Sequence, residues 1–535
     1  MHGVNGTQVE LDHGRADAGI RGTATVGRLM SRPWVVVAVM TLLAGAIRLW
    51  RIEFQSFWLD EAHTAFYIQG QTPEVIWAHL IKPGENGPVY YALLVPWARL
   101  LGGSELSLRG FSLVVSLPSV PLAFAVLRRL VPVRTALLGA GMVAFAPYLT
   151  WYAQEAKMYA LVLTVGLATQ WLFLSACERG GTWRWLAYGA VSLLAVYVHF
   201  FALLTIGVQA LVAVVVVWPN RRRLLGAWAT VLGVLVPVVA RQLPAITRDV
   251  AGSASKFAGG RSLLAERQGI LTYAYTMNVT PAPLALVLFV GTALVLLATW
   301  VLLSPAAGRI VASWREVLVR GLPVPDRGSV ALWALAYGPV AGFGVASMIL
   351  DAGLFADRYF IASVPLIYGT VAVAVVWALD RRPWIGGSVL ALLGVGAVIG
   401  TVYQATVPVK DDFRTAMAMQ RAGRGTRDAV VPVPQFLSYP VGYHSAPGLD
   451  IVFVDMERPP VDYAVKFAGR TGVWLVTNLP GDPPPLKDVR DWLAEHGRLG
   501  VDERLAGGVQ LQRWILDEEL TSSPELVIEL PEAGR

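Results

Sequence analysis

The first long apolar run of the chain reads WVVVAVMTLLAGAI and covers residues 34–47. Ten residues after its end, the stretch FWLDEAH at residues 57–63 places two carboxylates, Asp60 and Glu61, side by side. The whole chain is 55% hydrophobic and only 15% charged, with a mean hydropathy of +0.53. A soluble globule of this composition would leave too much apolar surface in water. We therefore predict a polytopic membrane protein whose first helix is this run.

The net charge of +7 and the isoelectric point near 9.5 raise the question of a nucleic-acid partner. The arginines, however, lie in short connections between apolar runs, as the positive-inside bias of membrane proteins produces. We therefore expect no nucleic-acid partner. Cys177 is the single cysteine of the sequence, so an intramolecular disulfide is excluded.

Arginine clusters orient the apolar runs. Clusters such as Arg128-Arg129, Arg221-Arg222-Arg223 and Arg381-Arg382 mark the cytoplasmic side of the spans they follow or precede. With the N-terminus in the cytoplasm, this rule predicts about eleven transmembrane helices. The fifth span ends near Tyr197. The other ten cover about residues 33–50, 107–127, 134–150, 158–177, 201–218, 224–243, 284–303, 329–350, 359–379 and 384–403. An odd count places the C-terminal region outside.

The predicted organisation has three parts. We expect a disordered cytoplasmic tail over residues 1–32, a transmembrane domain over 33–407, and an extracytoplasmic α/β domain over 408–535. The transmembrane domain includes a large outer loop, residues 51–105, and a second outer connection over residues 244–283. The segment 87–101 is apolar but short, so we expect a helix lying in the membrane interface. A twelfth span at this segment stays open as an alternative.

The region after residue 408 alternates strand-like and helical patterns. Its strands are predicted at Ala429–Pro432, Ile451–Val454, Gly472–Val476 and Gly508–Leu516, and a helix at Leu486–Glu495. These elements predict a small α/β fold.

Ionisable residues on the predicted outer side include most of the acids of the connecting loops. These residues are Asp60, Glu61, His63, Glu85, Glu155, Lys157, His199, Asp357, Arg358, Lys410, Asp411, Asp412 and Arg414. A carboxylate at a membrane surface deprotonates a hydroxyl or holds a divalent cation, and nearby cations bind phosphate oxygens. A substrate that fits has its tail in the bilayer and its phosphate and reactive group at the interface. A polyprenyl-phosphate sugar is such a molecule.

Several ordered sequence motifs carry a family resemblance. They are Phe57 to Ala62, Gly87 to Tyr91 leading to the segment Gly102 to Arg109, Trp151 to Tyr159, Tyr197 to Phe201, Asp357 to Tyr359 and Lys410 to Arg414. In this order and spacing the chain resembles the GT-C membrane glycosyltransferases, in the bacterial branch of the ArnT, protein O-mannosyltransferase and rhizobial lipopolysaccharide-transferase families. The resemblance covers about residues 35–415.

This resemblance implies an inverting transferase that uses a polyprenyl-phosphate sugar, with Asp60 as the catalytic base and Glu61 as its support. The predicted donor-phosphate residues are Arg358, Lys157, Lys82 and Arg414. Residues expected to support the sugar or the acceptor are His63, Glu85, Asn86, Tyr152, Gln154, Glu155, His199 and Tyr359. Asn86 stands where some relatives carry a cation, and His63 where some carry arginine. A divalent cation, Mg or Mn, held by Asp60 and Glu85 is left open.

Simpler interpretations of these residues stay open at this point. Glu155 and Lys157 could form an ordinary interfacial pair, and His199 could be a hydrogen-bonded turn residue. Arg358 could stand at a span end only because its side chain snorkels to the membrane surface. Lys410 to Arg414 could form only a charged hinge.

Three functions compete. The first is a polyprenyl-phosphate-dependent glycosyltransferase in the plasma membrane, whose acceptor is an envelope glycan, a lipid or a protein. The second is a lipid or glycolipid transporter or flippase, but transporters place ionisable residues near the bilayer midplane, where these spans have few. The third is a catalytically silent envelope-assembly protein. Loss of the cellular glycan on Asp60→Asn would separate the first from the third.

Overall fold

The structure is a computed structural model. It describes residues 32–69, 71–72, 75–76, 78, 87–257, 284–320, 322, 324–350, 357–446, 448–454 and 463–517. The tail predicted for residues 1–32 lies outside the described residues, except for residue 32. The same is true of Lys82, Glu85 and Asn86.

Helices make up nearly all of the described part before residue 407. In chain order they are α1 Pro33–Leu49, α2 Leu59–Ile68, α3 Pro88–Leu101, α4 Glu105–Ser116, α5 Ser119–Leu127, α6 Val133–Phe145, α7 Pro147–Ala153, α8 Tyr159–Arg179, α9 Thr182–Val198, α10 Ala202–Val217, α11 Arg221–Phe257, α12 Leu284–Arg320, α13 Val324–Leu350, α14 Val364–Arg381 and α15 Pro383–Thr406. A short 3-10 turn, Asp357–Phe360, precedes α14.

Within the described residues, seven helices are long and apolar enough to cross a membrane. They are Glu105–Leu127, Tyr159–Arg179, Arg221–Arg241, Ala293–Val317, Asp326–Val345, Val364–Arg381 and Pro383–Thr406. The bent pair α6–α7 raises this number to eight, and α1 and α10 are shorter apolar helices. A helix lies at each of the predicted spans, so the multi-pass helical fold is confirmed. The count of about eleven crossings stays a prediction.

Proline and glycine set the helix boundaries that matter for the site. The axis bends by 50° between α6 and α7. Pro147 opens α7, and Ala146 before it is extended with ψ 119° because a residue that precedes proline avoids the helical region. Gly87, which precedes α3, has φ +78°, and a Cβ there would lie 2.6 Å from Cε of Met158. Only glycine fits this position without displacing that side chain.

The helices α8 and α14 form the centre of the membrane part. In each, most of the spanning window is buried, 72% and 67%, whereas only 11% of the α15 window is buried. The backbone of α8 at Gly166 lies close to the segment before α14, since a Cβ on Gly166 would lie 2.6 Å from Cβ of Ala362. Tyr159 begins α8 and Arg358 lies just before α14. The starts of both central helices therefore lie at the same end of the bundle, next to the predicted site residue Arg358.

The structure describes part of each predicted outer loop. The helix α3 forms as expected over the segment 87–101, and its position in a membrane interface stays a prediction. The apolar window Arg221–Arg241 agrees with the span predicted at about 224–243, and α11 continues beyond it as a helix through Pro244 to Phe257. The outer position of the connection 244–283 stays a prediction. The rest of that connection, 258–283, lies outside the described residues.

A four-stranded sheet follows the membrane part. Its elements are α16 Phe413–Gly423, β1 Asp428–Val433, α17 Ser438–His444, α18 Tyr463–Phe467, β2 Gly472–Thr477, α19 Pro484–Glu495, β3 Gly497–Arg504 and β4 Gln510–Leu516. The strand order is β1-β2-β4-β3, with β1 parallel to β2 and the other pairs antiparallel. Separate apolar clusters cover the two faces, one including Leu486 and Leu493 of α19, the other Phe413 and Met417 of α16.

Most of the predicted secondary structure of this region is confirmed. Strands form at 428–433, 472–477 and 510–516, and a helix forms at 484–495. The strand predicted at Ile451–Val454 is wrong, because there only Ile451 forms a bridge, to Val430. The strand Gly497–Arg504 was missed, since its polar sequence lies at the sheet edge and is mostly exposed. The domain boundary at residue 408 stays a prediction.

Candidate active site

Glu61 is the most completely paired acid of the site. Its side chain is fully buried in the first turn of α2. Arg109 donates to both carboxylate oxygens at 2.8 Å, Lys410 Nζ donates to Oε2 at 2.9 Å, and the backbone N–H of Ala156 donates to Oε1 at 2.9 Å. Burial alone would raise the pKa of Glu61, but the charges of Arg109 and Lys410 lower it to about 2. Glu61 is therefore an ionised carboxylate that joins three distant segments.

Arg109 completes this arrangement from α4. It is fully buried and also donates to the carbonyls of Ile52, Gln55 and Ser56 at 2.9, 2.8 and 3.3 Å. These bonds hold the turn that leads into α2, so Arg109 fixes the position of the neighbouring acid, Asp60. Sequence reasoning did not identify Arg109 as a site residue. The sequence did offer a signal for it, because Arg109 lies inside the span predicted at about 107–127 and a charged residue within a span often has a functional role.

Asp60 precedes Glu61 but has a different environment. Its side chain is only partly buried, and the described residues offer its carboxylate no hydrogen bond or ion pair. It lies within electrostatic range of His63, Lys157 and Arg358. Since α2 turns by 100° per residue, the two adjacent acids point in different directions, one into the protein and one into the site. Asp60 is the carboxylate that is free to act on a ligand.

The loop between α7 and α8 is held at several points. Gln154 Nε2 donates to the carbonyls of Arg48 and Trp50 at 2.9 and 3.0 Å. Lys157 Nζ donates to the hydroxyl of Tyr91 at 3.2 Å. Burial alone would lower the pKa of Lys157, but Tyr91 and the charge of Asp60 raise it. The loop therefore presents a charged ammonium beside Asp60 from a fixed backbone.

Glu155 lies in the same loop without such bonds. It is 1% exposed, and neither carboxylate oxygen has a hydrogen-bond partner within the described part of the chain. Burial raises the pKa of Glu155 to about 7, and the charges of Glu61 and Asp60 add to the rise, although Lys410 opposes it. At neutral pH the carboxyl group is therefore divided between its protonated and ionised forms.

Arg358 faces the loop from the turn before α14. Its guanidinium carbon lies 5.8 Å from the ring centre of Tyr159 and 5.7 Å from that of Tyr359. Within the described residues it has no hydrogen bond or ion pair, and its Nε is buried. The tyrosines Tyr159 and Tyr359 and the charge of Asp60 raise the pKa of Arg358 against the effect of burial. Arg358 is therefore a permanent cation held by aromatic rings and left without a carboxylate partner.

His199 and Tyr152 belong to the aromatic surroundings of Arg358. The His199 ring lies 5.4 Å from that of Tyr359, and the Tyr152 ring lies 5.2 Å from that of Tyr159. Burial and the charge of Arg358 lower the pKa of His199 to about 3, so the imidazole is neutral. A cavity of about 20 Å³, room for about one water molecule, lies between His199, Arg358 and Tyr359.

The remaining predicted residues lie at the edge of the site or away from it. The His63 ring lies 4.9 Å from that of Tyr439, and burial lowers the pKa of His63. Arg414, a predicted phosphate residue, binds the carbonyls of Glu53, Phe54 and Gln55 and the carboxylate of Glu105 instead. Its donors are engaged on the loop before α2, so we leave it out of the proposed donor site.

The region after residue 407 contributes directly to the site. Lys410 reaches Glu61, and its ammonium lies 4.9 Å from the ring centre of Trp151. The ring of Tyr443 in α17 stacks on Phe57 at 4.9 Å, just before the acid pair. The sequence left open whether Lys410 belongs to a charged hinge or to the site, and the structure pairs it with Glu61. The described residues contain no group of three or more metal-ligating His, Cys, Asp or Glu side chains.

Comparison with known proteins supports the resemblance found in the sequence. Residues 85–244 match the family model described as dolichyl-phosphate-mannose-protein mannosyltransferase. The sequence matches no curated protein.

Similar solved structures cover nearly the whole chain. ArnT from Cupriavidus metallidurans in the apo state is 14% identical, with a TM-score of 0.51 over 92% of this chain and 98% of ArnT. ArnT bound to undecaprenyl phosphate is 15% identical, with a TM-score of 0.49 over 90% and 97%. The oligosaccharyltransferase AglB from Archaeoglobus fulgidus, with an inhibitory peptide and dolichol-phosphate, is 11% identical, with a TM-score of 0.48 over 92% and 75%. The chain thus resembles the GT-C membrane glycosyltransferases and has the fold of ArnT.

Proposed function

We propose that this protein is an inverting glycosyltransferase that moves a sugar from a polyprenyl-phosphate carrier to an acceptor hydroxyl. The observation that carries the proposal is a free acid beside a free cation: Asp60 and Arg358 share one site, and neither side chain has a hydrogen bond or ion pair within the described residues. Lys157, a further cation near Asp60, donates to the neutral Tyr91 hydroxyl. A substrate that brings a hydroxyl and a phosphate would satisfy both groups.

The reaction is a single displacement. The acceptor oxygen attacks the anomeric carbon and forms the new glycosidic bond, while the bond from that carbon to the phosphate oxygen breaks. Asp60 takes the proton of the acceptor hydroxyl, and the polyprenyl phosphate leaves with the bonding electron pair. Attack from the side opposite to the leaving phosphate inverts the anomeric configuration. A positioned general base contributes roughly 10²–10⁴-fold to the rate of such a step.

Arg358 and Lys157 are the proposed phosphate residues. The phosphate gains negative charge as it leaves, and a fixed cation stabilises the transition state more than the ground state. Arg358 is held by two tyrosine rings and Lys157 by the Tyr91 hydroxyl, so neither has to be reorganised during the reaction. The match of residues 85–244 to a family named for a dolichyl-phosphate sugar supports a donor of this chemical class.

Glu155 is proposed to contact a sugar hydroxyl. Its buried carboxyl group has no hydrogen-bond partner in the described part of the chain, and a buried polar group without a partner is costly. A sugar hydroxyl would supply one. Gln154, Tyr152, His199 and Tyr359 are proposed to position the loop and the aromatic wall around it. Asp60 and Glu85 are the residues that would hold a divalent cation, Mg or Mn, if the reaction uses one.

The outer face of the plasma membrane is the proposed location of the site. The arginine clusters 128–129, 221–223 and 381–382 lie at helix ends remote from Asp60, as the positive-inside rule requires of a cytoplasmic surface. The proposed acceptor is an envelope glycan, a lipid or an exported protein. A reporter fused after Arg535 should be active outside, and a cytoplasmic signal would contradict this orientation.

The activity is tested with purified full-length protein in lipid nanodiscs. The protein is incubated with polyprenyl-phosphate sugars and a panel of envelope acceptors, with and without Mg or Mn, and released polyprenyl phosphate is measured. We expect Asp60→Asn to lower the rate about 10²–10⁴-fold with an unchanged melting temperature. The matched control is Asp488→Asn, an exposed aspartate of α19 far from the site, which should behave as the wild type. Equal release by wild type and Asp60→Asn would contradict the proposal.

A further inference from the structure

A large groove lies at the end of the membrane part that is remote from Asp60. Its lining comes from α9 and α11, together with the segment from Arg179 to Thr182 that joins α8 to α9, and its volume is about 1050 Å³. The helix α8 is 21 residues long and therefore spans about 30 Å. It starts at Tyr159 beside Arg358 and ends at Arg179, which lines the groove. The groove is thus about one bilayer thickness from the candidate active site.

The walls of the groove are apolar. They include Trp185, Leu186 and Leu193 of α9 and Ala229 and Val234 of α11. Trp185 lies directly against α11, because a Cβ on Gly226 would come within 2.8 Å of its Nε1. The wall residues Leu186 and Ala229 are exposed. A wall of this kind, open along the side of two membrane helices, fits a hydrocarbon chain.

The mouth of the groove carries positive charge that the protein does not neutralise. Arg179 and Arg222 line it, and within the described residues neither has a hydrogen bond or ion pair. Arg223 differs from them, since its Nη1 donates to the carbonyls of Cys177 and Glu178 at 3.1 and 2.6 Å. No Asp or Glu belongs to the lining, and the nearby carboxylate of Glu178 is paired with Arg129. Two cations therefore remain available to a ligand.

We propose that this groove is a binding site for an anionic phospholipid. The phosphodiester lies between Arg179 and Arg222, and one acyl chain follows the apolar wall along Leu186, Leu193 and Val234. Basic pockets between membrane helices bind anionic headgroups in this way. A zwitterionic lipid carries the same phosphate, but its ammonium group would face the two arginines. The site therefore favours a headgroup without a positive charge.

Binding is tested on the purified full-length protein in one detergent. The protein is titrated with dioctanoyl-phosphatidylglycerol or with dioctanoyl-phosphatidylcholine, and native mass spectrometry counts the lipids bound. We expect the wild type to bind the glycerol lipid at least about tenfold more tightly, the scale of one charge-assisted contact. Equal affinities for the two lipids would overturn the proposal. Glycerol phosphate should displace the bound glycerol lipid only weakly. If it competed as strongly as the lipid itself, the proposal would also be overturned, because the apolar wall would then have no role in binding.

Two variants test the arginines and the apolar wall of the groove separately. Arg179→Gln with Arg222→Gln should remove the preference for the anionic lipid, about a tenfold loss. The control, Arg128→Gln with Arg382→Gln, removes two arginines at the same end but outside the groove, and should keep the preference. Ala229→Trp fills the groove with every arginine in place and should weaken both lipids. An unchanged preference in the first variant, or unchanged binding in Ala229→Trp, would contradict the assigned site.

Discussion

Two neighbouring groups of charged side chains differ in how completely they are paired. The paired cluster consists of Glu61, Arg109 and Lys410, in which both carboxylate oxygens accept hydrogen bonds from cations. The open cluster consists of Asp60, Glu155 and Arg358, and none of their side chains has a hydrogen bond or ion pair to another described residue. Adjacent positions in the sequence, 60 and 61, thus belong to different clusters.

This difference separates folding from chemistry. A buried carboxylate is stable only when cations and hydrogen bonds replace its water, and Glu61 has both. Its bonds also join α2, α4 and the residue 410 segment, which fixes the backbone under Asp60. The open cluster leaves polar groups without partners, which is unfavourable unless a ligand supplies them. We infer that the paired cluster supports the site and the open cluster contacts the substrate.

The largest effect is expected on breaking the paired cluster. Arg109→Gln leaves Glu61 buried with Lys410 as its remaining cation, and removal of one partner from a buried ion pair costs about 3–5 kcal/mol. The thermal unfolding midpoint of the purified protein should fall strongly. The matched control is Arg48→Gln, because Arg48 is equally buried but its guanidinium bonds, among the described residues, only to Ser116 and the carbonyl of Val143. Arg48→Gln should lower the unfolding midpoint less than Arg109→Gln does.

A double substitution sharpens this test. In Arg109→Gln with Glu61→Gln, both charges of the pair are replaced by neutral amides. We expect part of the stability to return, since no uncompensated carboxylate is left buried. If the double variant were as unstable as the sum of the two single variants, the ion pair would not be what holds the loop.

The second effect concerns the pH dependence of stability. The pKa of Glu155 is raised from 4.5 to about 7, so the folded chain binds a proton more tightly than the unfolded chain. Its contribution is fully present below pH 4.5 and is lost as the pH rises to about 7, by on the order of 3 kcal/mol. Glu155→Gln should flatten this part of the stability profile, measured as the unfolding midpoint from pH 4.5 to 8.

An exposed glutamate in the same region provides the control. Glu53→Gln changes a carboxylate that is open to solvent, so the pH profile should match that of the wild type. A wild-type profile that does not change between pH 4.5 and 7 would mean that Glu155 is ionised in the folded protein. Its place in the open cluster would then be wrong.

Local patterns were enough to predict much of this molecule. Apolar runs located the helices, because the length of a bilayer and the helical rise leave few alternatives. The acids of the predicted outer side and Arg358 were identified by their position at span ends. The strand Gly497–Arg504 was missed because an edge strand does not need an apolar face.

Partnerships between distant residues were not predictable in this way. Arg109 is 48 residues from Glu61 and Lys410 is 349 residues away, and no local spacing indicates such contacts. Arg414 shows the same difficulty. Its charge suggested that it binds a phosphate, but its donors are engaged on the carbonyls before α2. Whether a charge is paired or free depends on the folded contacts, and this decides its role.

The smallest of the expected effects compares two arginines, one free and one engaged. Arg358→Gln removes a charge-assisted contact to phosphate worth about 1.5–3 kcal/mol, so affinity for a polyprenyl phosphate should fall about 10- to 100-fold. Binding is measured by titration of the purified protein, and Arg358→Lys should recover part of it. Arg414→Gln is the control: its guanidinium holds the loop before α2, so it should lower the unfolding midpoint and leave affinity nearly unchanged. The reverse result would place the phosphate at Arg414 and would remove Arg358 from the open cluster.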